Sequence, residues 1–341
     1  MTKPPVLPAR VTLQNVAQAA GLSPATVDRV LNGRDGVRGR TKDIVLETAR
    51  RLGYIADPVA DQIALTFLLP AGTNAFMDSL HRQIEANAAT RPDLIVTVER
   101  IEGFNPQTLA TRLLALRGQT RGIGVIAQDH PLVREAIRAL AAFGTHVVTL
   151  ASDIQNVPRL AYVGIDNRQA GRLAGHLMGR LLPQGQPAKA ALFAGSLSYR
   201  GHEEREMGFR HILRDEYPHI QILDLREIMD DRTKAEVETR ALLLQHSDLA
   251  AIYNVGGGTS GIATALQAFD LGQKVVLIGH EATEGMKRLL LDGTVDAVID
   301  QNPRVEAREA LNLLTAAARN QPYTFVPLRL ALILKENLPD D

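Results

Sequence analysis

The sequence predicts a small all-helical domain followed by a larger α/β domain of two lobes with parallel sheets. Three observations lead to this architecture. Two short amphipathic segments joined by a glycine turn lie near the start of the chain. From residue 64 onward, apolar runs of strand length alternate with helical patterns, which is typical of parallel sheets. About nine such runs over roughly 280 residues exceed one typical domain and indicate two lobes.

The composition places the chain among globular proteins. Its 341 residues include 38 Lys and Arg and 38 Asp and Glu, and 45% of them are hydrophobic. These values exclude a wholly disordered chain. The absence of cysteine excludes disulfides, zinc–thiolate sites and thiol nucleophiles. Residues 1–60 hold nine Lys and Arg against five Asp and Glu, which indicates a polyanion-binding segment on a mildly acidic body.

The N-terminal residues lack the apolar run of a signal peptide, and no uncharged apolar stretch of 18 residues follows. We therefore expect a cytoplasmic protein that has no membrane partner.

The first helical segment is predicted to begin after Thr12, which can cap it, and to end at Gly21. A second segment has a start signal in Ser23 and Pro24 and ends before Gly33. Two short helices with a tight glycine turn form a helix-turn-helix, whose second helix can lie in the major groove of DNA. The side chains predicted to point outward from that helix are Ser23, Pro24, Ala25, Thr26, Asp28, Arg29 and Asn32.

A third helix is predicted to begin with Thr41 as its cap. The loop before it carries basic side chains suited to phosphate contacts. These are Arg34, Arg38, Arg40 and Lys42. The alternative interpretation of this region is a small helical subdomain with a solvated basic face.

Residues 11–32, together with Thr41 and residues 52–54, resemble the DNA-binding head of the LacI family of bacterial repressors. The resemblance implies a DNA-binding domain over residues 1–56 that binds a palindromic double-stranded operator as part of a homodimer. It implies that Thr12, Ser23, Thr26 and Asn32 hold phosphates. It further implies that Pro24, Ala25 and Arg29 face bases. Asp28 departs from the family's usual serine, but an aspartate can accept a hydrogen bond from cytosine.

Residues 57–63 are predicted to form a linker several residues shorter than the hinge of that family. Pro58 can start one helical turn that carries Val59, Ala60 and Ile63. Two roles for Ile63 stay open, a wedge in the minor groove or the first residue of a strand.

The strand-length runs of the larger domain are residues 64–69, 94–98, 124–127, 147–150, 190–193, 220–225, 250–253, 275–278 and 297–299. The helical patterns among them are residues 76–89, 106–117, 131–142, 168–182, 201–216, 233–246, 259–271 and 303–319. In such sheets ligands bind beyond the carboxyl ends of the strands. The loops there carry amides, carboxylates, an arginine and an aromatic, which suits a polyhydroxyl ligand. The alternative is that these are turn residues and helix caps.

The order of these loops resembles the sugar-binding periplasmic proteins of the ribose-binding type, whose fold LacI-family regulators carry as a sensor. The resemblance implies a type I periplasmic-binding-protein-like domain over residues 64–341. Lobe 1 is expected at about 64–161 and 296–323, and lobe 2 at about 162–295 and 324–341. A small sugar or polyol effector is expected between the lobes, bound by Asn74, Phe76, Asp153, Arg205, Asn254, Glu281 and Gln301. Asp153 lies one step beyond Ala151 and Ser152, which replace the Asp-Arg pair of the ribose type.

Neither a catalytic nor a metal-binding set emerges from the sequence. The motif at residues 202–206 begins like that of a zinc protease but has glutamate where the second histidine is required. Residues 256–261 fit GxGxxG after a predicted strand, with Glu281 20 residues on, which is the context of a dinucleotide site. An NAD-dependent enzyme is therefore the alternative function. We favour a regulator without a cofactor, because this unit lies late in the chain and the sensor resemblance also accounts for Asn254 and Glu281.

Overall fold

The computed structural model describes residues 11–55 and 62–339. The chain divides into two compact units, Met1–Gln62 and Ile63–Asp341. Most of the predicted linker, with its helical turn at Pro58, Val59 and Ala60, lies outside the described residues. Ile63 is the first residue of a strand and is buried, so the strand alternative holds for it.

The smaller unit consists of three helices, α1 (Leu13–Ala20), α2 (Pro24–Leu31) and α3 (Gly39–Arg51). The predicted start and stop signals of α1 and α2 are confirmed, since the side chains of Thr12 and Ser23 cap the two helices and Gly21 has a φ of 66°. The prediction for α3 is wrong by three residues, because the helix begins at Gly39 and not after Thr41. The small core is built from Val16, Ala17, Val27, Val30, Val45 and Ala49.

The first sheet of the larger unit has five parallel strands in the order β2-β1-β3-β4-β5. The strands are β1 (Ile63–Pro70), β2 (Leu94–Ile101), β3 (Gly122–Val125), β4 (His146–Leu150) and β5 (Ala161–Val163). Its helices are α4 (Ala75–Ala89), α5 (Pro106–Ala115), α6 (Pro131–Ala142) and α12 (Pro303–Ala318), of which α12 packs on α4 and β4. Together these elements form lobe 1.

The second sheet has the order β12-β11-β10-β9-β6-β7, and a short strand, β8, also pairs with β6. The strands are β6 (Ala188–Ala194), β7 (Ile220–Ile222), β8 (Arg226–Glu227), β9 (Leu249–Asn254), β10 (Val276–His280), β11 (Ala297–Asp300) and β12 (Ala331–Ile333). Its helices are α7 (Asn167–Leu181), α8 (Arg200–Glu216), α9 (Arg232–Gln245), α10 (Thr259–Ala268) and α11 (Glu284–Leu291). All strand pairs are parallel except β11 with β12, so the expectation of parallel sheets holds apart from this edge.

Two of the expected lobe boundaries need correction. Residues 161–163 form β5, which pairs with β4, so the first crossing follows residue 163 and leaves these residues in lobe 1. Residues 297–300 form β11, which pairs with β10, so the second crossing follows residue 300. A short apolar run carries no information about which sheet it joins. The third crossing lies between α12 and β12, where the expected position at residue 324 falls.

Helices α7 and α8 approach each other unusually closely. Glycines recur every four residues on one face of α7, at positions 171, 175 and 179. A Cβ on Gly171 would collide with the carbonyl oxygen of Arg205, and one on Gly175 would collide with Ile212. The glycines therefore let the backbone of α8 lie against α7, and the backbone of Arg205 is at this contact. None of the described helices combines the length and apolar composition needed to cross a bilayer.

We predict that Gly171→Ala lowers the free energy of unfolding by about 1–3 kcal/mol, because the added methyl group overpacks the contact with α8. Urea denaturation measures the change. The matched control is Gly285→Ala in α11, where a Cβ would meet no neighbouring atom and the effect should stay within about 1 kcal/mol. Equal stabilities of the two variants would contradict the assigned packing.

Candidate functional site

The exposed surface of α2 and the adjoining loops form one candidate site. Ser23 accepts a hydrogen bond from the backbone N–H of Thr26, and its hydroxyl lies 2.8 Å from that of Thr26. The predicted DNA-contacting side chains reach the surface of this unit. Thr12, Ser23, Pro24, Ala25, Arg29, Asn32 and Arg38 are exposed, and Thr26 and Asp28 are half-buried.

Asp28 is the centre of a small polar cluster on α2. Its Oδ1 accepts a hydrogen bond of 2.8 Å from Nδ2 of Asn32, and its Oδ2 lies 3.4 Å from the guanidinium of Arg34. The cluster partly offsets the negative charge that the aspartate brings to this otherwise basic surface. Asp28 also orients Asn32, one of the predicted phosphate-holding residues.

The second candidate site is a cavity of about 590 Å³ in the larger unit, lined from both lobes. The loops after β1 and β4 contribute from lobe 1, and those after β6, β8, β9, β10 and β11 from lobe 2. Five predicted ligand residues meet there, namely Asn74, Phe76, Arg205, Glu281 and Gln301. The cavity therefore lies beyond the carboxyl ends of the strands, where the sequence analysis expects a ligand.

Arg205 is buried in the cavity wall, with 5% of its surface exposed. Its Nε donates to Oδ1 of Asn167 over 2.7 Å, and its Nη1 donates to the carbonyl oxygen of Val255 over 2.8 Å. Both acceptors are neutral. Two of the five N–H groups of the guanidinium are thus used for positioning, and the remainder are available for a ligand.

Asp230 joins the two lobes across the cavity. Its Oδ2 accepts a hydrogen bond of 3.1 Å from Nδ2 of Asn74 in lobe 1, and its Oδ1 accepts one of 2.7 Å from the backbone N–H of Gly257. The rings of Phe104 and Tyr199 meet edge to face at 5.4 Å, which adds a second contact between the lobes. The two lobes are therefore in contact with each other at the cavity.

Glu281 and Gln301 form a buried pair at the ends of β10 and β11. Nε2 of Gln301 donates to Oε1 of Glu281 over 2.7 Å, while Oε2 of Glu281 and Oε1 of Gln301 have no partner. Burial holds the pKa of Glu281 well above its ordinary value, with the charge of Asp300 acting in the same direction. Burial therefore favours the protonated form of this carboxyl, whose O–H can donate a hydrogen bond.

Two histidines add polar groups with little charge. Nε2 of His280 lies 2.8 Å from the hydroxyl of Tyr253, and burial holds the pKa of His280 well below its ordinary value. Burial also lowers the pKa of His202, while the carboxylate of Asp230 acts against that shift. The histidines therefore contribute hydrogen-bonding atoms to the cavity rather than positive charge.

Two expected ligand residues do not reach the cavity wall. Asp153 turns into lobe 1, where its carboxylate accepts from Thr149 and pairs with Arg159 at 2.5 Å. Asn254 is fully buried beneath the wall, and its Nδ2 donates to the carbonyl oxygens of Gly256 and Gly257. Both residues lie at strand ends, as expected, but their side chains form hydrogen bonds within their own lobe and do not line the cavity.

The sequence analysis did not select several lining side chains, among them Phe104, Ser152, Tyr199, His202 and Asp230. Tyr199 and His202 lie in the polar loop that leads to Arg205, so a signal for them was present. Asp230 follows the two-residue strand β8, and both Met229 and Asp230 have positive φ angles without being glycine or asparagine. No residue type in the sequence marks that turn.

The glycines of the GxGxxG motif make room for protein atoms. A Cβ on Gly256 would collide with the carboxylate of Asp230, and one on Gly261 would collide with the carbonyl oxygen of Arg232. Gly258 precedes α10 with a φ of 91°. Close packing therefore accounts for all three glycines without a dinucleotide. In the described part of the chain, no three His, Asp or Glu side chains are grouped to hold a metal ion.

Glu306, in the first turn of α12, is fully buried near the crossing between the lobes. Burial raises its pKa to about 8, while Arg205 acts in the opposite direction. The carboxyl is therefore mostly protonated at pH 7, although it lies close enough to Arg205 to feel its charge.

Two family models together match most of the chain. The model described as bacterial regulatory proteins, lacI family, matches residues 12–57, and the model described as a periplasmic binding protein domain matches residues 63–322.

Curated relatives match over shorter stretches. The HTH-type transcriptional regulator pepR1 of Lactobacillus delbrueckii subsp. lactis is 30% identical over 198 residues, which are 54% of this chain and 55% of the relative. Catabolite control protein A of Priestia megaterium is 32% identical over 166 residues, which are 47% and 49%. The chain therefore spans about half the length of the curated relatives it matches.

A solved structure shows the same fold for the larger unit. The solute-binding protein of an ABC transporter from Burkholderia graminis C4D1M, in complex with D-arabinose, superposes with a TM-score of 0.76 at 22% identity. The superposition covers 83% of this chain and 98% of that protein.

We predict that Glu306→Gln flattens the dependence of stability on pH. The folded protein keeps the Glu306 proton up to about pH 8, whereas the unfolded chain releases it near the ordinary value of 4.5. Wild-type stability should therefore fall between these values, by up to about 1.4 kcal/mol per pH unit relative to the variant. Urea denaturation from pH 5 to pH 8 measures the difference. The exposed Glu203→Gln is the control, and parallel curves for wild type and Glu306→Gln would contradict the assignment.

Proposed function

Because the chain belongs to the lacI family of bacterial regulatory proteins, and its larger unit to the periplasmic binding protein domain family, we propose that it is a transcriptional repressor whose operator affinity depends on a small effector. One observation carries the proposal. A single chain joins a helix-turn-helix with an exposed polar face to a two-lobed unit that encloses a cavity around a buried arginine. The similarity to the transcriptional regulator pepR1 and to catabolite control protein A supports it.

We propose that the helix-turn-helix unit binds a palindromic operator in the cytoplasm. The protein binds it as a homodimer, because an operator with two-fold symmetry requires a protein with two-fold symmetry. In this assignment Thr12, Ser23, Thr26, Asn32 and Arg38 hold phosphates, and Pro24, Ala25 and Arg29 lie at base edges. The exposure of these side chains and the polar cluster around Asp28 support it.

We place a sugar or polyol in the cavity, with Phe76 and the Phe104–Tyr199 pair against its apolar faces. Asn74, Arg205 and Gln301 would bind its hydroxyl groups. The effector shifts operator affinity through its different affinity for the open and closed lobes. The assignment needs neither a cofactor nor catalysis. It gives the glycines of residues 256–261 a role in close packing, whereas the alternative function would have them bind NAD.

We predict that Arg29→Ala weakens operator binding by about 1–3 kcal/mol and relaxes sequence preference at one position in each half-site, because it removes a base contact. The measurement is selection of operators from a random duplex library, followed by titration. Arg38→Ala is the matched control, since loss of a phosphate contact weakens all sequences alike and reduces the salt slope by about 1. Two variants with the same uniform loss would contradict the assignment of Arg29.

We predict that Arg205→Ala weakens effector binding roughly tenfold or more and leaves operator binding intact, because the arginine belongs to the cavity and not to the helix-turn-helix unit. A thermal-shift screen with monosaccharides, polyols and nicotinamide nucleotides finds the effector, since a ligand at 100 times its Kd stabilises by about 2.7 kcal/mol. Asp153→Asn is the control and should keep wild-type affinity, because its carboxylate pairs with Arg159 outside the cavity. A shift with NAD alone would contradict the proposed function.

A further inference from the structure

Among the described residues, the buried arginine of the cavity wall has no ion-pair partner. Six acidic or arginine side chains of the described residues face the cavity, namely Asp78, Arg82, Arg205, Asp230, Glu281 and Glu284. Asp78 pairs with Arg100 at 3.0 Å, and Glu284 pairs with Lys287 at 3.0 Å, so these two carboxylates are neutralised locally.

The remaining carboxyl groups leave Arg205 without a counter-ion. Among the described residues, Glu281 has the amide of Gln301 as its hydrogen-bond partner and forms no ion pair with Arg205. Asp230 already accepts N–H groups from Asn74 and Gly257 and forms no ion pair with Arg205. Neither carboxyl group of the described cavity wall that lacks a salt bridge is therefore an ion-pair partner of Arg205.

The burial of Arg205 makes the lack of a counter-ion costly. Only 5% of the residue's surface is exposed. Among the described residues, its only hydrogen-bond acceptors are the neutral oxygens of Asn167 and Val255. A buried charge is normally compensated by an opposite charge. Ala151 and Ser152, which line the cavity after β4, bring no carboxylate.

We infer that the effector itself supplies the missing charge and is a polyhydroxylated carboxylate, such as an aldonate or uronate. This inference rests on the proposed function and specifies its ligand. The carboxylate accepts the free N–H groups of Arg205 in a charge-assisted pair. A single carboxylate matches the single buried cation, whereas Arg82 is exposed at the cavity mouth and stays hydrated. Hydroxyl groups of the ligand then reach Asn74 and the aromatic rim.

The test compares ligands that differ only in the acidic group, using the full chain. The pairs are D-galactose with D-galacturonate and D-glucitol with D-gluconate, measured by thermal shift and calorimetry at pH 7. We expect at least one carboxylate to bind roughly tenfold or more tightly than its neutral partner, which is the size of a charge-assisted hydrogen bond. D-glucose 6-phosphate is included as an anion of different charge.

Variants test whether Arg205 causes the preference for a carboxylate over its neutral partner. Arg205→Met should remove it and leave similar affinities for both members of a pair, while Arg205→Lys should retain part of it. Arg82→Gln is the matched control and should keep the wild-type ratio within roughly threefold, because exposed charges contribute little. The wild-type comparison decides the question by itself if Arg205→Met does not fold.

The outcomes separate this inference from the proposed function. Binding of neutral sugars or polyols as tight as that of their carboxylates overturns the inference and leaves the sensor in place. Tighter binding of the sugar phosphate overturns the choice of a carboxylate. If no member of any series binds, the inference and the proposed sugar or polyol effector fail together.

Discussion

The contact between α7 and α8 is the constraint on which the ligand cavity depends. Arg205 lies on α8 at the point where the backbone touches Gly171, and its side chain reaches Asn167 at the start of α7. A longer distance between the helices would separate the guanidinium from both Asn167 and the Val255 carbonyl. The same glycines that allow dense packing thus determine where the one buried cation of the wall points.

Burial shifts the pKa values of the acids and bases around that cation towards their uncharged forms. It raises the pKa of Glu281 and of Glu306, and it lowers the pKa of His280 and of His202. These groups therefore contribute directional hydrogen-bonding atoms to this region. Arg205 on α8 and Asp230 in the turn after β8 add charged groups from two separate elements of lobe 2.

The sequence predicted elements with local signals and missed features that depend on partners distant in the chain. Caps and glycines located α1 and α2, and the ends of the strands located Asn74, Arg205 and Gln301. Asp153 has the same local signal, but its pairing with Arg159 turns it away from the cavity. Asp230 has no signal, because its place follows from the positive φ of two ordinary residues. The sheet that β5 or β11 joins is likewise decided by tertiary pairing.

Three covalent connections cross between the lobes, after β5, after β11 and between α12 and β12. A single connecting segment would let one lobe twist and slide against the other. Three connecting segments together oppose twisting and sliding, so bending about one shared axis is the motion that they resist least. We therefore expect the lobes to open by bending at these three connections. Opening then has to break the hydrogen bond between Asn74 and Asp230, which joins the lobes across the cavity.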